Sequence, residues 1–152
     1  MKIAIASDHA GYRLKVHLLD YLLAQGHEVV DLGVDSDQTR SDYPDVAEVI
    51  ARSLLAGEAE RGLLLCGSGV GACIAANKFT GIYACVCHDT YSARQGVEHD
   101  NMNVLALGAR IIGVNLAETL VDAFLSAEFS TVDRYRTRFE KVQAFEQARS
   151  GE

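Results

Sequence analysis

The chain has 152 residues, of which 49% are hydrophobic and 23% are charged, and its formal net charge at pH 7 is −7. This length favours one domain, residues 1–152, with a substantial core. The negative charge argues against nucleic acid as the main partner, because binding that polyanion usually requires a basic face. There is no apolar run of membrane-spanning length and no signal-peptide core after Lys2, so we expect a cytoplasmic protein without a membrane partner.

Short apolar runs alternate along the chain with longer stretches in which apolar residues recur at helical spacing. In chain order, the pattern predicts a strand at 3–6, a helix at 11–23, a strand at 28–32, a helix at 42–56, a strand at 62–66, a helix at 71–77, a strand at 82–86, a helix at 91–97, a strand at 104–107 and helices at 116–125 and 134–148. Strands separated by helices form βαβ units, which bury a parallel sheet between two helical layers. The predicted fold class is α/β: a Rossmann-like three-layer α/β/α sandwich with a doubly wound, five-stranded parallel sheet.

The spacing of the four cysteines, Cys66, Cys73, Cys85 and Cys87, includes no CxxC pair. It therefore predicts neither a zinc site nor a thioredoxin-like redox motif. In a reducing compartment we expect free thiols.

Reactive side chains follow four of the predicted strands, at the edge where doubly wound sheets bind ligands. They are Asp8 and His9 after the first strand, Cys66 at the end of the third, His88 and Asp89 after the fourth, and Arg110 after the fifth. A buried free cysteine alone usually behaves as a small hydrophobic residue. An acid, imidazoles, a thiol and an arginine at one edge together indicate a functional site.

A glycine-rich turn, Cys66-Gly67-Ser68-Gly69-Val70-Gly71, joins the third strand to its helix. Its glycines allow the backbone to approach a ligand closely. The helix that follows directs free N–H groups at the turn, which favours negative charge, such as the oxygen of an enediolate. The same field favours the thiolate form of Cys66. The alternative is a tight strand-to-helix turn without a ligand.

A dinucleotide site is a rival interpretation of the same turn. Gly67, Gly69 and Ala72 fit the pattern GxGxxA, and Asp89 lies about twenty residues further on, where a ribose-binding acid is expected. The pattern is permissive, and here it follows the third strand instead of the first. The chain also has no room for a separate substrate domain.

His99 differs from these residues in its expected position. The helix after the fourth strand starts at the ligand edge and runs away from it, and His99 comes just before the fifth strand. It should therefore lie near the amino ends of the strands, away from Cys66 of its own chain. It is either structural or part of another chain's site across a two-fold interface.

Three arginines, Arg134, Arg136 and Arg138, fall close together in the last predicted helix. Such a run is most often a solvated helix face, and the alternative is a site for an anionic small ligand. Residues four apart share a helix face, so Arg134 and Arg138 lie together and Arg136 points elsewhere.

Several separated motifs resemble one family in order and over nearly the whole chain. They are SDHAG at 7–11, DYP at 42–44, CGSGVG at 66–71, AANK at 75–78, YSA at 91–93, NVL at 103–105, GAR at 108–110, and the pair Arg134 and Arg138. The chain resembles the type B ribose-5-phosphate isomerases, in a group that includes allose-6-phosphate and galactose-6-phosphate isomerases. Dinucleotide enzymes share only the glycine turn.

The resemblance implies an aldose–ketose isomerase in which Cys66 moves a proton between C1 and C2 through a cis-enediol. It implies that His99, supplied by the neighbouring subunit, opens the furanose ring, and that Arg134 and Arg138 grip one phosphate. The substrate-binding residues that it implies are Asp8, His9, Tyr43, Gly67, Ser68, Gly69, Val70, Gly71, Asp100, Arg110, Arg134 and Arg138. The partners implied are a small phosphorylated sugar and a second copy of the chain, in a homodimer with shared sites or a dimer of dimers, with the C-terminal helix closing the site or packing on that copy. No metal or nucleotide cofactor is implied.

Two positions depart from the family pattern and leave the sugar open. Asp100 stands where the family often has Asn, and an ionised carboxylate only accepts hydrogen bonds and repels a phosphate. Tyr135 stands where the family often has His. Ribose 5-phosphate is the first expectation, and allose 6-phosphate, galactose 6-phosphate or a tetrose phosphate are alternatives. A non-catalytic sugar-phosphate sensor is the competing class, since fold alone does not separate the two, but a sensor would need no base.

Overall fold

The computed structural model describes residues 1–151. Its strands are β1 (Lys2–Ser7), β2 (Glu28–Gly33), β3 (Arg61–Cys66), β4 (Ala84–Val86) and β5 (Val104–Gly108). Its helices are α1 (Tyr12–Ala24), α2 (Tyr43–Leu55), α3 (Val70–Ala76), α4 (Thr90–Asp100), α5 (Val114–Ser126) and α6 (Asp133–Ser150). Every predicted element is present, in the predicted order.

The element boundaries lie within three residues of the predicted ones, and two of the larger differences are at β4 and α4. β4 begins at Ala84 instead of 82, because the Ile82 amide closes a turn on the carbonyl of Phe79 and the Tyr83 amide donates to Asn103 Oδ1. α4 continues to Asp100, so His99 lies in its last turn and not in the loop beyond it.

The five strands form one parallel sheet in the order β2-β1-β3-β5-β4. From β1 the chain crosses to β2 on one side of the pair β1 and β3, and from β3 it crosses to β4 on the other side, beyond β5. This reversal creates a crevice at the carboxyl ends of β1 and β3. In the register, Ser7 lies opposite Leu65, and Cys66 lies opposite Gly108. The residues that follow β1, β3 and β5 therefore meet at one edge.

Side chains that alternate along the strands divide the core into two layers. One face carries large aliphatic residues that pack against α1, α4 and α5; they are Ile3, Ile5, Leu63, Leu65, Leu105 and Leu107. The other face carries mostly smaller residues under α2 and α3; the strand residues there are Ala4, Ala6, Leu64, Cys66 and Val104. The predicted three-layer α/β/α fold is confirmed.

Helix α6 lies outside these layers. Phe139 is its one buried residue within 133–150, and its ring packs edge-on against Tyr83 and Phe129. Glu146 accepts a hydrogen bond of 2.8 Å from the Tyr83 hydroxyl. Burial and this carboxylate raise the pKa of Tyr83 to about 12. The closing or subunit-packing role of this helix stays a prediction.

None of the helices within residues 1–151 combines the length and the apolar character that crossing a bilayer requires.

Candidate active site

A cavity of about 310 Å³ opens at the carboxyl ends of β1, β3 and β5. Its lining residues are Asp8, Tyr43, Cys66, Gly67, Ser68, Gly71, Arg110 and Ile111. The volume is at the lower end of the roughly 300–1,000 Å³ typical of small-molecule sites. All but one of the lining residues are among the predicted site residues. Sequence reasoning missed Ile111, because an apolar residue after a strand carries no chemical signal.

The Cys66 thiol lies at the boundary between the core and this cavity. Its residue is only 5% exposed, and its Sγ accepts a hydrogen bond of 3.1 Å from the Gly69 amide. Gly69 makes this possible with a left-handed φ of +81°, which turns the chain sharply before α3. The sulfur therefore faces the glycine turn.

The glycine turn packs directly against the end of β5 and against Tyr43. A Cβ added to Gly71 would lie 2.7 Å from the Tyr43 ring, and one added to Gly108 would lie 2.6 Å from the Ser68 carbonyl oxygen. The Arg110 amide donates to the Gly67 carbonyl at 3.0 Å, and its guanidinium lies beside Gly67. Packing alone therefore favours glycine at positions 71 and 108.

Gly69→Ala is expected to destabilise the protein more than the control Gly26→Ala. Both glycines have a left-handed φ, +81° and +86°, in which alanine costs about 1–2 kcal/mol. At Gly69 the new Cβ would also lie 3.1 Å from the carbonyl carbon of Leu107, whereas nothing lies within 4 Å at Gly26. Urea unfolding should show a loss of about 1 kcal/mol for Gly26→Ala and about 2–4 kcal/mol for Gly69→Ala. Equal losses would contradict this description of the turn.

The two residues after β1 have different surroundings. Asp8 is buried, lines the cavity and accepts a hydrogen bond of 3.0 Å from the Gly11 amide. His9 does not line the cavity. Its Nδ1 accepts from the Ser41 amide and its own amide donates to Ser41 Oγ, both at 3.2 Å. His9 therefore joins the end of β1 to the loop before α2, and its predicted contact with substrate stays a prediction.

His88 and Asp89 stabilise the backbone at this edge. His88 Nε2 accepts a hydrogen bond of 3.0 Å from the Gly108 amide at the end of β5. Asp89 is the N-cap of α4, and its Oδ1 accepts from the Ser92 amide at 2.7 Å. This hydrogen bond lowers the pKa of the Asp89 carboxyl. Asp89 therefore has a local structural role, as the cap of α4.

A second group of predicted residues lies outside the Cys66 cavity, around Tyr135. His99, in the last turn of α4 before β5, stacks on the Tyr135 ring with centroids 3.8 Å apart and planes 10° apart. The guanidinium carbons of Arg134 and Arg138 lie 4.8 Å and 5.9 Å from the centre of the same ring. The pair four residues apart is thus brought together, as the helical spacing predicts.

Two further predicted residues, Asp100 and Val70, do not line the Cys66 cavity. Asp100 lines a separate groove of about 400 Å³ between β4, α4 and α6, together with Gln95, Met102 and Phe139. Val70, the first residue of α3, has an exposed side chain. Within residues 1–151, no cluster of three or more His, Cys, Asp or Glu side chains is arranged to hold a metal ion.

Comparison with known proteins identifies the family. A family model described as Ribose/Galactose Isomerase matches residues 3–142. The chain belongs to this family. It is an isomerase, and the family predicted from the sequence motifs is confirmed.

Relatives of this isomerase cover nearly its full length. It is 44% identical over 149 residues to ribose-5-phosphate isomerase B of Escherichia coli, which covers 98% of this chain and 99% of that protein. It is 46% identical over 129 residues to a D-erythrulose-4-phosphate isomerase of Pectobacterium atrosepticum, with 85% of each chain covered. The solved structure of ribose-5-phosphate isomerase B from Clostridium thermocellum superposes with a TM-score of 0.94 at 44% identity, covering 97% of this chain and 99% of that one.

Proposed function

We propose that this isomerase interconverts ribose 5-phosphate and ribulose 5-phosphate in carbohydrate metabolism in the cytoplasm, with Cys66 as the base. The observation that carries the proposal is the Cys66 sulfur at 3.1 Å from the Gly69 amide, in a cavity lined by Asp8, Ser68 and Arg110. A thiol beside the first turn of a helix and a guanidinium suits proton abstraction next to a carbonyl, because N–H donors there can stabilise the oxyanion that develops.

Proton transfer begins once the sugar is an open-chain aldose. The Cys66 thiolate removes the hydrogen on C2, and the electron pair moves through C1 onto the carbonyl oxygen to form an enediolate. The first-turn amides of α3 have no acceptor within the helix, and Gly71 among them lines the cavity. The thiol then returns its proton to C1 while the hydrogen on O2 passes to O1, so the ketose has the composition of the aldose.

Ring opening precedes this step for a furanose substrate. The bond between C1 and the ring oxygen breaks, the ring oxygen gains a proton, and the C1 hydroxyl loses one. Imidazole is suited to both transfers near neutral pH. We assign this role to His99, which lies outside the Cys66 cavity of its own chain.

The distance between Cys66 and the group formed by His99, Arg134 and Arg138 in one chain supports a site shared between two chains. Cys66 lies at the carboxyl edge of the sheet, whereas His99, Arg134 and Arg138 gather on α4 and α6. In the proposed homodimer, His99 of the partner subunit completes the cavity, and Arg134 and Arg138 bind the phosphate of the substrate. The shared site is the same whether the homodimer is the whole assembly or one half of a tetramer. Exposed apolar residues favour a protein partner: Phe145 on α6 is 71% exposed and Ile74 on α3 is 58% exposed.

A four-carbon sugar phosphate is the second candidate substrate. Asp100 replaces a residue that could donate a hydrogen bond, and one relative at 46% identity is a D-erythrulose-4-phosphate isomerase. A tetrose 4-phosphate has no free hydroxyl to close a furanose ring. This substrate would therefore need Cys66 but would not need a ring-opening histidine.

A coupled assay over four-, five- and six-carbon sugar phosphates tests the proposal. We expect kcat/KM for ribose 5-phosphate to exceed the values for the other sugars by about 10-fold or more, a difference of roughly 1.4 kcal/mol in transition-state binding. A higher value for a tetrose or hexose phosphate would favour the alternative substrate. Binding of every sugar without turnover of any would favour the sensor.

A further inference from the structure

We propose that Tyr135 is a positioning residue that holds His99 and the two phosphate-binding arginines as one unit. The proposal rests on the function proposed above, because it assigns Tyr135 to the ring-opening and phosphate-binding half of that site. Its basis is the position of one half-buried ring at the centre of three functional side chains.

The position of Tyr135 follows from the way α6 is attached. Phe139 packs against Tyr83, and Tyr135 lies four residues earlier on the same helix face. That face lies toward α4, so the Tyr135 ring meets the last turn of α4. Tyr135 itself is outside both core clusters, so its ring contributes to this junction and not to the sheet core.

The ring of His99 is fixed from two directions. Tyr135 covers one face at 3.8 Å, and Gln95, one helical turn earlier on α4, places its Nε2 at 2.8 Å from His99 Nδ1. With the amide donating, Nδ1 is the acceptor and the hydrogen of the neutral ring lies on Nε2. Stacking therefore sets the plane of the imidazole, and Gln95 sets which nitrogen carries the proton.

The arginines are held by the same ring without being neutralised. Arg134 Nη2 donates a hydrogen bond of 3.0 Å to the Tyr135 hydroxyl, and Arg138 lies over the ring. Neither arginine forms an ion pair with a carboxylate in the described part of the chain. A guanidinium that rests on an aromatic ring retains N–H groups that can bind a phosphate in bidentate geometry. Tyr135 therefore reduces the freedom of two exposed side chains while leaving their charge available.

Three variants distinguish the effect of the Tyr135 ring on activity from the effect of its hydroxyl and from the general effect of replacing a tyrosine. Tyr135→Leu removes the ring, Tyr135→Phe keeps the ring and removes the hydroxyl, and Tyr91→Leu removes a tyrosine that is 75% exposed. Each is assayed with ribose 5-phosphate, which forms a furanose, and with D-erythrulose 4-phosphate, which does not.

We expect Tyr135→Leu to raise KM for both substrates by about 10-fold, since the phosphate clamp loosens. We expect it to lower kcat by a further factor of about 10 for ribose 5-phosphate alone, since only that substrate requires ring opening. Tyr135→Phe should stay within about 3-fold of the unsubstituted enzyme, and Tyr91→Leu within about 2-fold. A kcat for Tyr135→Leu that is unchanged, or that falls equally for both substrates, would overturn the role of Tyr135.

A spectroscopic readout does not depend on turnover. The ring current of a stacked tyrosine shifts the His99 Cε1–H proton resonance upfield, and the resonance is assigned by its absence in His99→Gln. It should move downfield in Tyr135→Leu and stay close to its original position in Tyr135→Phe. A resonance that does not move in Tyr135→Leu would overturn the stacking and with it the proposal. If the unsubstituted chain isomerises no sugar phosphate, the proposed function fails and the assignment of Tyr135 to that reaction fails with it, even where the resonance moves.

Discussion

Cys66→Ser is expected to lower kcat for isomerisation by about 10³-fold or more while sugar-phosphate binding is retained. A serine hydroxyl is far less acidic than a thiol and provides no anionic base at neutral pH. Its oxygen still accepts a hydrogen bond from the Gly69 amide, so the glycine turn keeps its shape. A coupled assay measures kcat, and titration calorimetry with ribose 5-phosphate measures binding.

The matched control for this variant is Cys73→Ser. Cys73 is a half-buried free thiol on α3 that donates to the Ala84 carbonyl at 3.4 Å and does not line the Cys66 cavity. Burial raises its pKa, which disfavours a thiolate. We expect the kcat of Cys73→Ser to stay within about 3-fold of that of the unsubstituted enzyme. Near-normal turnover by Cys66→Ser would end the assignment of Cys66 as the base.

Mixing two inactive variants should restore activity if the site is shared between subunits. Cys66→Ala and His99→Ala homodimers each lack one group at both sites. Half of the dimers in an equal mixture contain one subunit of each kind, and each of these has one site with both groups intact. We therefore expect about a quarter of the unsubstituted activity on ribose 5-phosphate after subunit exchange.

A second pair of variants is the control for this experiment. Cys66 and Arg110 line the same cavity of one chain. A mixture of Cys66→Ala with Arg110→Ala should recover nothing beyond the residual activity of Arg110→Ala, because no mixed dimer contains an intact site. Absence of recovery in the first mixture, with subunit exchange shown by mass spectrometry, would mean that each site is built within one chain.

Much of the Cys66 cavity could be predicted from the sequence. The strand that ends at Cys66 is marked by an apolar run, and the glycines after it are required by a left-handed φ at Gly69 and by the contact of Gly71 with Tyr43. Strand periodicity and a left-handed φ are local signals, because they involve residues that are close in the chain. The contact of Gly71 on α3 with Tyr43 on α2 is instead decided by tertiary packing. The rule that ligands bind at the carboxyl ends of parallel strands then places Asp8 and Arg110 at the same edge.

Asp89 and His9 have structural roles that differ from the roles expected of them at the ligand edge. The dinucleotide interpretation of the sequence offered Asp89 as a ribose-binding acid, and the structure uses it to cap α4. His9 was expected at the substrate, and its ring is hydrogen-bonded to Ser41, thirty-two residues away. An Asp before a helix is a local N-cap signal, so the role of Asp89 could have been found from the sequence. No short pattern marks the role of His9, because its partner Ser41 lies in another part of the chain.

The sequence by itself determined the order of strands and helices, the family and the residues that follow the carboxyl end of each strand, because these depend on periodicity and on short motifs. The tertiary structure decided which of those residues share a cavity and which lie apart around Tyr135. The reason is that α6 reaches α4 through the packing of Phe139 and Tyr135, and contacts between elements so distant in sequence depend on how the whole chain packs.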